Sequence, residues 1–186
     1  MGGALKSLKG QLLLDGGKLS GSFFHRAVVF ICQHDAEGAF GLLMNRPMEH
    51  TIQELSSEII PESLENTPVH VGGPVQPGAL SFLITDSYLD GEQIIPEVSL
   101  GHSFEQLIEL NESFSPHRDI RLFSGYSGWS PGQLDDEIKK GSWMIQPATR
   151  KLIFDHDAND LWRHIMYQQG WEERMLADSP DDLSTN

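Results

Sequence analysis

The chain predicts a mixed α/β (α+β) fold, a single compact domain with a mixed β-sheet and flanking helices. Three observations carry this reading. Short β-branched apolar runs alternate with stretches that have helix caps and helical spacing. No internal repeat, heptad or low-complexity linker interrupts them. A length of 186 residues with 39% hydrophobic content is enough to bury one core.

The elements follow in order. Ala27 to His34 is continuously apolar and β-branched, Asp35-Ala36-Glu37-Gly38 is turn-like, and Ala39 to Met44 resumes the run, which predicts a buried hairpin. Thr51 with Glu54 three residues on is a capping box, predicting a helix over Ile52 to Ile59. Val69-His70-Val71 and Leu80 to Ile84 predict strands flanking a turn at Gly72-Gly73-Pro74. Ser103 and Gln106 repeat the capping logic before Phe104, Leu107, Ile108 and Leu110, which share one helical face.

Ile120 to Ser124 predicts a strand, and Gly125-Tyr126-Ser127-Gly128-Trp129 a built turn leading into a helix. In that helix Ser130 is the N-cap, Pro131 is N1 and Gln133 is the N3 partner, and the helix runs to about Lys140 before Gly141 stops it. Trp143 to Ile145 and Leu152 to Phe154 read as short strands, and Asp157 opens a last helix bearing Leu161, Trp162, Ile165 and Met166. The domain is therefore expected over 1–176. The acidic tail 177–186 is too polar to repay ordering.

Charge and cysteine usage narrow the function. A net charge of -14 and a pI near 4.8 repel phosphate backbones and anionic membranes, and the lysines and arginines form only isolated pairs such as Lys139-Lys140 and Arg150-Lys151. Direct nucleic-acid binding and membrane docking are disfavoured, and a helix-turn-helix pattern is missing. The lone Cys32 excludes an intrachain disulfide and suits a reducing cytosol. Leu12-Leu13-Leu14 is too short for a signal h-region, and no stretch reaches the roughly 20 apolar residues of a membrane span.

Three blocks stand out: Phe30 to Pro47, with Gln33-His34, Gly38-Ala39-Phe40-Gly41 and Asn45-Arg46-Pro47; Val71-Gly72-Gly73-Pro74-Val75; and Gly125 to Leu134. In this order and spacing the chain, from Leu8 through Tyr167, resembles the YqgE/AlgH family of bacterial proteins. The resemblance implies a cytoplasmic α/β fold with a mixed sheet and flanking helices. It also implies an association with transcriptional regulation that rests on genetics rather than on a demonstrated activity. The segment Asp15-Gly16-Gly17-Lys18-Leu19-Ser20-Gly21 departs from the Ala-x-Pro-like stretch usual in relatives, which puts any binding role of that loop in question.

Each candidate residue has two readings. Cys32 on a strand has His34 two residues on, and an adjacent imidazole favours thiolate; a free cysteine also packs well as a small buried hydrophobe. Gly125 to Trp129 is not a nucleophile elbow, because Trp129 stands where a glycine is needed; the indole closes the loop over the core or lines a pocket rim. Gly72, Gly73 and the helix start at Gly132 and Gln133 expose backbone N–H groups for an anion if they converge, and otherwise serve turns. Asn45 sits at the hairpin end, where sites and ordinary turns both occur. Neither a P-loop nor a dinucleotide fingerprint is present, so no cofactor is expected. Asp155-His156-Asp157 and His34-Asp35 lack the i, i+4 histidine pair that would seat a metal, so none is expected there.

Two functions remain open. The first is a non-catalytic regulatory or adaptor protein that engages an unidentified protein or small anionic ligand, with Trp129 and Gly72-Gly73-Pro74 as its surface. The second is an anion-binding enzyme or redox sensor built on Cys32 and His34.

Overall fold

The structure is a computed structural model and describes residues 6–85, 91–112 and 119–180. Among the described residues ten strands join in one mixed, strand-rich sheet, in the order β10-β1-β2-β3-β9-β6-β8-β7, with β5 also paired to β9 and β4 paired to β5. Its left part holds β1 (Gln11–Asp15), β2 (Val28–Asp35), β3 (Gly38–Leu43) and β10 (Trp143–Pro147). The predicted hairpin is there, with Asp35 opposite Gly38.

Burial on both faces explains why Ala27 to Cys32 is apolar without alternation. Leu12, Leu14, Val28, Phe30, Leu42 and Met44 point to one cluster. That cluster is covered by α5 (Leu161–Tyr167) and by residues of α4 (Arg150–Phe154) and α6 (Trp171–Asp178). Leu13, Val29, Ile31 and Leu43 point to the other face, under α3 (Gln133–Lys139) and the loop residues Leu19 and Phe24.

The right part holds β4 (Pro47–Thr51), β5 (Pro68–Val71), β6 (Val75–Ile84), β7 (Glu92–Ile95) and β8 (Val98–Gly101). A third cluster there packs Ile52 of α1 (Ile52–Leu55) and Leu107 of α2 (Phe104–Glu112) on Phe82 and Leu122.

The two parts are joined by β9 (Ile120–Trp129). Along one edge β9 pairs first with β5, in parallel (Val69 with Leu122), and then with β3, antiparallel (Gly41 with Ser127). Along the other edge it pairs with β6. The stretch Gly125 to Trp129 is therefore strand, bent at Gly125 (φ 74°), and not the turn expected from its glycines.

Gly72-Gly73-Pro74 likewise does not close a hairpin between β5 and β6. It carries the chain across β9 from one edge to the other. A Cβ on Gly72 would overlap the Gly125 carbonyl, and one on Gly73 would overlap the Tyr126 peptide. The crossing is fixed by hydrogen bonds from Gly72 N to Ser124 O (2.9 Å), and to Gly72 O from Leu43 N (2.8 Å) and Ser127 Oγ (3.1 Å).

Other boundaries move for local reasons. The capping box forms, with Thr51 N donating to Glu54 Oε2 (2.9 Å), but α1 stops at Leu55 because Ser56 turns extended. Ser103 Oγ accepts from Gln106 N (3.3 Å) at the start of α2, whose expected Leu110 side chain lies outside the described residues. Gly132 in the left-handed region (φ 73°) delays α3 to Gln133. Leu152 to Phe154 is helical rather than extended, because Thr149 Oγ1 accepts from Leu152 N (3.2 Å) as an N-cap. Asp157 caps a turn, with α5 starting at Leu161 and a separate α6 after it. In the expected tail, Ala177 is buried and Ser179 is held by Arg26, while 181–186 lies outside the described residues.

Replacing Gly72 by Ala is expected to destabilise the fold by about 3 kcal/mol, the cost of overpacking against backbone that has no room to yield. Gly78→Ala, where nothing lies within 4 Å of an added Cβ, should stay within about 0.5 kcal/mol. Urea unfolding of both variants checks this.

Buried His70 titrates at about 4 against an ordinary 6.5, because burial and the Arg121 charge both disfavour its cation. Between pH 6.5 and 4 the unfolded chain takes up a proton that the folded one does not, so stability falls as pH falls through that window. His70 contributes about 3 kcal/mol to that fall. His70→Phe should flatten the pH dependence by that amount in paired denaturation series.

Candidate functional site

The residues singled out in the sequence do not meet in one place. A bulge between Ile31 and Gln33 interrupts the alternation of β2. Cys32 consequently packs with Val28 and Phe30, whereas His34 lies near Leu8 and Asp135 toward the other face. His34 Nδ1 accepts from Leu8 N (3.1 Å) and Nε2 is 3.4 Å from Asp135 Oδ1. The thiol is fully enclosed, contacts Phe30 O at 3.7 Å, and is pushed far up by burial, with Glu92 adding and Lys9 opposing. The imidazole does not assist it.

Trp129 is only 6% exposed. Its Nε1 and that of Trp143 both donate to Glu137 Oε2, at 2.9 and 2.8 Å, and Phe24 completes the aromatic group. The indole therefore ties α3 to the sheet and leaves little surface for a partner. Ser127 is buried, with its hydroxyl spent on Gly72 O, which removes it as a nucleophile.

Gly72, Gly73 and Gly125 serve the strand crossing, and Pro74 follows it, exposed. The start of α3 is far from an anion cradle. Gln133 Oε1 already accepts from Ser130 N (3.0 Å), and Asp135 and Asp136 crowd the first turn. Asn45 is a buried staple: Oδ1 accepts from Val28 N and Nδ2 donates to Arg26 O, both at 2.8 Å. Among the described residues no group of three His, Cys, Asp or Glu side chains is placed to hold a metal.

The departing loop is organised by Asp15, which no sequence signal marked. Its carboxylate is fully buried and accepts from Gly17 N (2.8 Å), Leu19 N (3.2 Å) and Arg26 N (2.7 Å). An Asp followed by Gly-Gly at a strand end is the pattern that could have found it, since a short carboxylate serves freed backbone donors well.

The apolar concave space lies elsewhere. A cavity of about 360 Å³ opens between α1, α2 and the sheet, lined by Ile52, Leu55, Val69, Leu80, Phe104 and Phe123. Its polar edge carries His102, Ser124 and Glu58. His102 Nδ1 sits 3.0 Å from Ser81 Oγ and its ring stands edge-on to Phe40 at 5.6 Å. Partial burial lowers its pKa, with Glu92 acting in the opposite sense, so the ring is neutral at pH 7. Helical spacing had marked Phe104 only as a packing residue, and nothing local indicated that it borders a space.

The chain matches the AlgH-like family (DUF179) over residues 12–174. It is 35% identical over 175 residues to a UPF0301 protein of Chlorobium luteolum, covering 92% of this chain and 91% of that one. It is 37% identical to a UPF0301 protein of Chlorobium limicola, covering 92% of each. The solution structure of AlgH from Pseudomonas aeruginosa superposes with a TM-score of 0.73 at 22% identity, covering 97% of this chain and 98% of that one. A crystal structure of a Corynebacterium diphtheriae protein gives 0.74 at 20% identity, covering 96% and 95%. These two likenesses establish a shared fold.

Cys32 in the native protein is expected to resist an aromatic disulfide reagent at pH 8 for hours and to react fully once the chain is unfolded in guanidinium. Fast native modification would contradict the enclosed, protonated thiol.

Proposed function

The chain belongs to the AlgH-like family, and from that premise we propose that it is a non-catalytic regulatory protein of the cytoplasm that acts by binding, its ligand a small amphipathic molecule seated in the cavity under α1 and α2. The observation that carries this is the cavity itself, an apolar space with few polar groups, which is how small-ligand sites are generally built. The reactive groups of the sequence motifs support it from the other side, because Cys32, Ser127 and Asn45 are all buried within the fold.

The lining restricts the ligand. Apolar side chains receive an alkyl or aryl body, neutral His102 offers a hydrogen bond, and the Ser124 hydroxyl, which already donates to Pro77 O, can accept one. Glu58 on the rim disfavours an anionic head, so a neutral or cationic one fits.

A second reading, the adaptor, is favoured by Leu55 and Ile59, which are 47% and 91% exposed on either side of Glu58. A partner's apolar side chain could enter the same space with Ile59 in contact outside it.

Thermal-shift and ligand-observed NMR screens with alkyl and aryl amines and alcohols test the first reading. Ligand at 100 times Kd should stabilise the protein by about 2.7 kcal/mol. Leu80→Trp, which fills the cavity, should abolish the effect while keeping the fold. Binding that persists in Leu80→Trp would reject the cavity. Ile59→Lys should leave small-ligand binding intact and impair only capture of a protein partner.

A further inference from the structure

We propose that a second site, independent of the apolar cavity, takes a small oxyanion, a phosphate or carboxylate group on a compact molecule, in the cleft between the loop before β2, the β3–β4 connection and the start of α5. The cleft has a volume of about 470 Å³ and brings Arg26, Arg46, Arg163 and His25 to one surface of a protein whose net charge is -14.

Arg46 carries the argument. Its guanidinium is half-buried and held by backbone carbonyls, with Nη1 donating to Asn45 O (3.1 Å) and Nη2 to His25 O. No carboxylate of the described residues lies within 4.0 Å of it. Burial lowers its pKa, and Asp15 offsets this only from a distance. A charge kept out of water without an ion pair is costly, and an anion arriving in the cleft supplies the missing partner. The fork geometry also suits two oxygens of one oxyanion.

The surroundings are pre-set for that ligand. The two Asn45 bonds fix the backbone at Arg26 and Val28, and Asp15 fixes the Arg26 amide, so the walls do not have to order on binding. Arg26 is held over the Trp162 indole (5.0 Å), donates to Ser179 and lines the same space. Both ring nitrogens of His25 are buried without a hydrogen-bond partner, Nδ1 lying 3.7 Å from Asp15 Oδ2. Arg163 closes the far side from α5, and no ion pair among the described residues engages it.

Two features set the ligand class. The cleft volume suits a compact anion and not a dinucleotide, and a cluster confined to one cleft does not track a nucleic-acid backbone. Asp160 on the rim accepts a hydrogen bond, so the anion that fits best carries a hydroxyl or amine donor.

The test is calorimetric titration and thermal shift of the full chain with inorganic phosphate and, separately, malonate, each against sodium chloride at equal ionic strength. Saturable binding of either anion is expected, and the tighter one assigns the group as phosphate or carboxylate. Arg163→Gln, an exposed change that spares the fold, should weaken it about tenfold, the loss of one charge-assisted hydrogen bond. Arg46→Lys, which keeps the charge but loses the fork, should weaken it as well. Arg150→Gln, on α4 and paired with Asp119 and Asp155, should not. Leu80→Trp should bind the anion normally, which separates this site from the apolar cavity. The proposal is overturned if neither anion exceeds chloride, or if Arg163→Gln and Arg46→Lys both bind as the native chain does.

Discussion

The close approach of backbone to backbone where Gly72 and Gly73 pass over Gly125 and Tyr126 is the constraint on which the rest of the structure depends. Two half-sheets share β9 only because the chain can leave β5 on one edge of that strand and enter β6 on the other. Any side chain at the crossing would separate the peptides, and with them the hydrogen bonds that Gly72 makes to Leu43, Ser124 and Ser127. Both halves would then expose an unpaired strand edge.

From that joint outward, polar anchors replace the regular ladder wherever the chain leaves it. Asp15 serves three backbone donors of the loop before β2, Asn45 bridges that loop to the end of β3, and Glu137 receives two indole N–H groups between α3 and the sheet. Each is buried or half-buried and fully used, which is the condition under which a polar group in low dielectric rigidifies a fold instead of weakening it. The loop that departs from the family pattern is thereby held in one conformation by its own carboxylate.

This use of the motif residues relocates function. Residues that look chemical in sequence, such as Cys32, Ser127 and Trp129, sit where chemistry or recognition has no access. The open surfaces lie instead at an apolar cavity beside α1 and α2 and at an arginine-lined cleft beside α5, and they differ in charge, shape and the ligand each would accept. An acidic chain that keeps Arg46 half-buried with no ion pair among the described residues, and sets Arg26 and Arg163 on the same cleft, gathers positive charge in one small space, where a modest number of contacts can select for charge.

The sequence by itself determined the family, the mixed character of the fold, the buried hairpin of β2 and β3, and the capping box at Thr51, because each rests on residues close together along the chain. It also marked the glycines as special, since only backbone freedom or close approach explains so many in so few positions. What those glycines do was decided by tertiary structure: the same local pattern fits a turn or a crossing, and the partner strand that chooses between them is about fifty residues away. The bulge at Cys32 that parts it from His34, the cavity bordered by Phe104 and Leu80, and the meeting of Arg26, Arg46 and Arg163 are likewise products of packing between distant segments. Periodicity along one element carries no information about the space left between two.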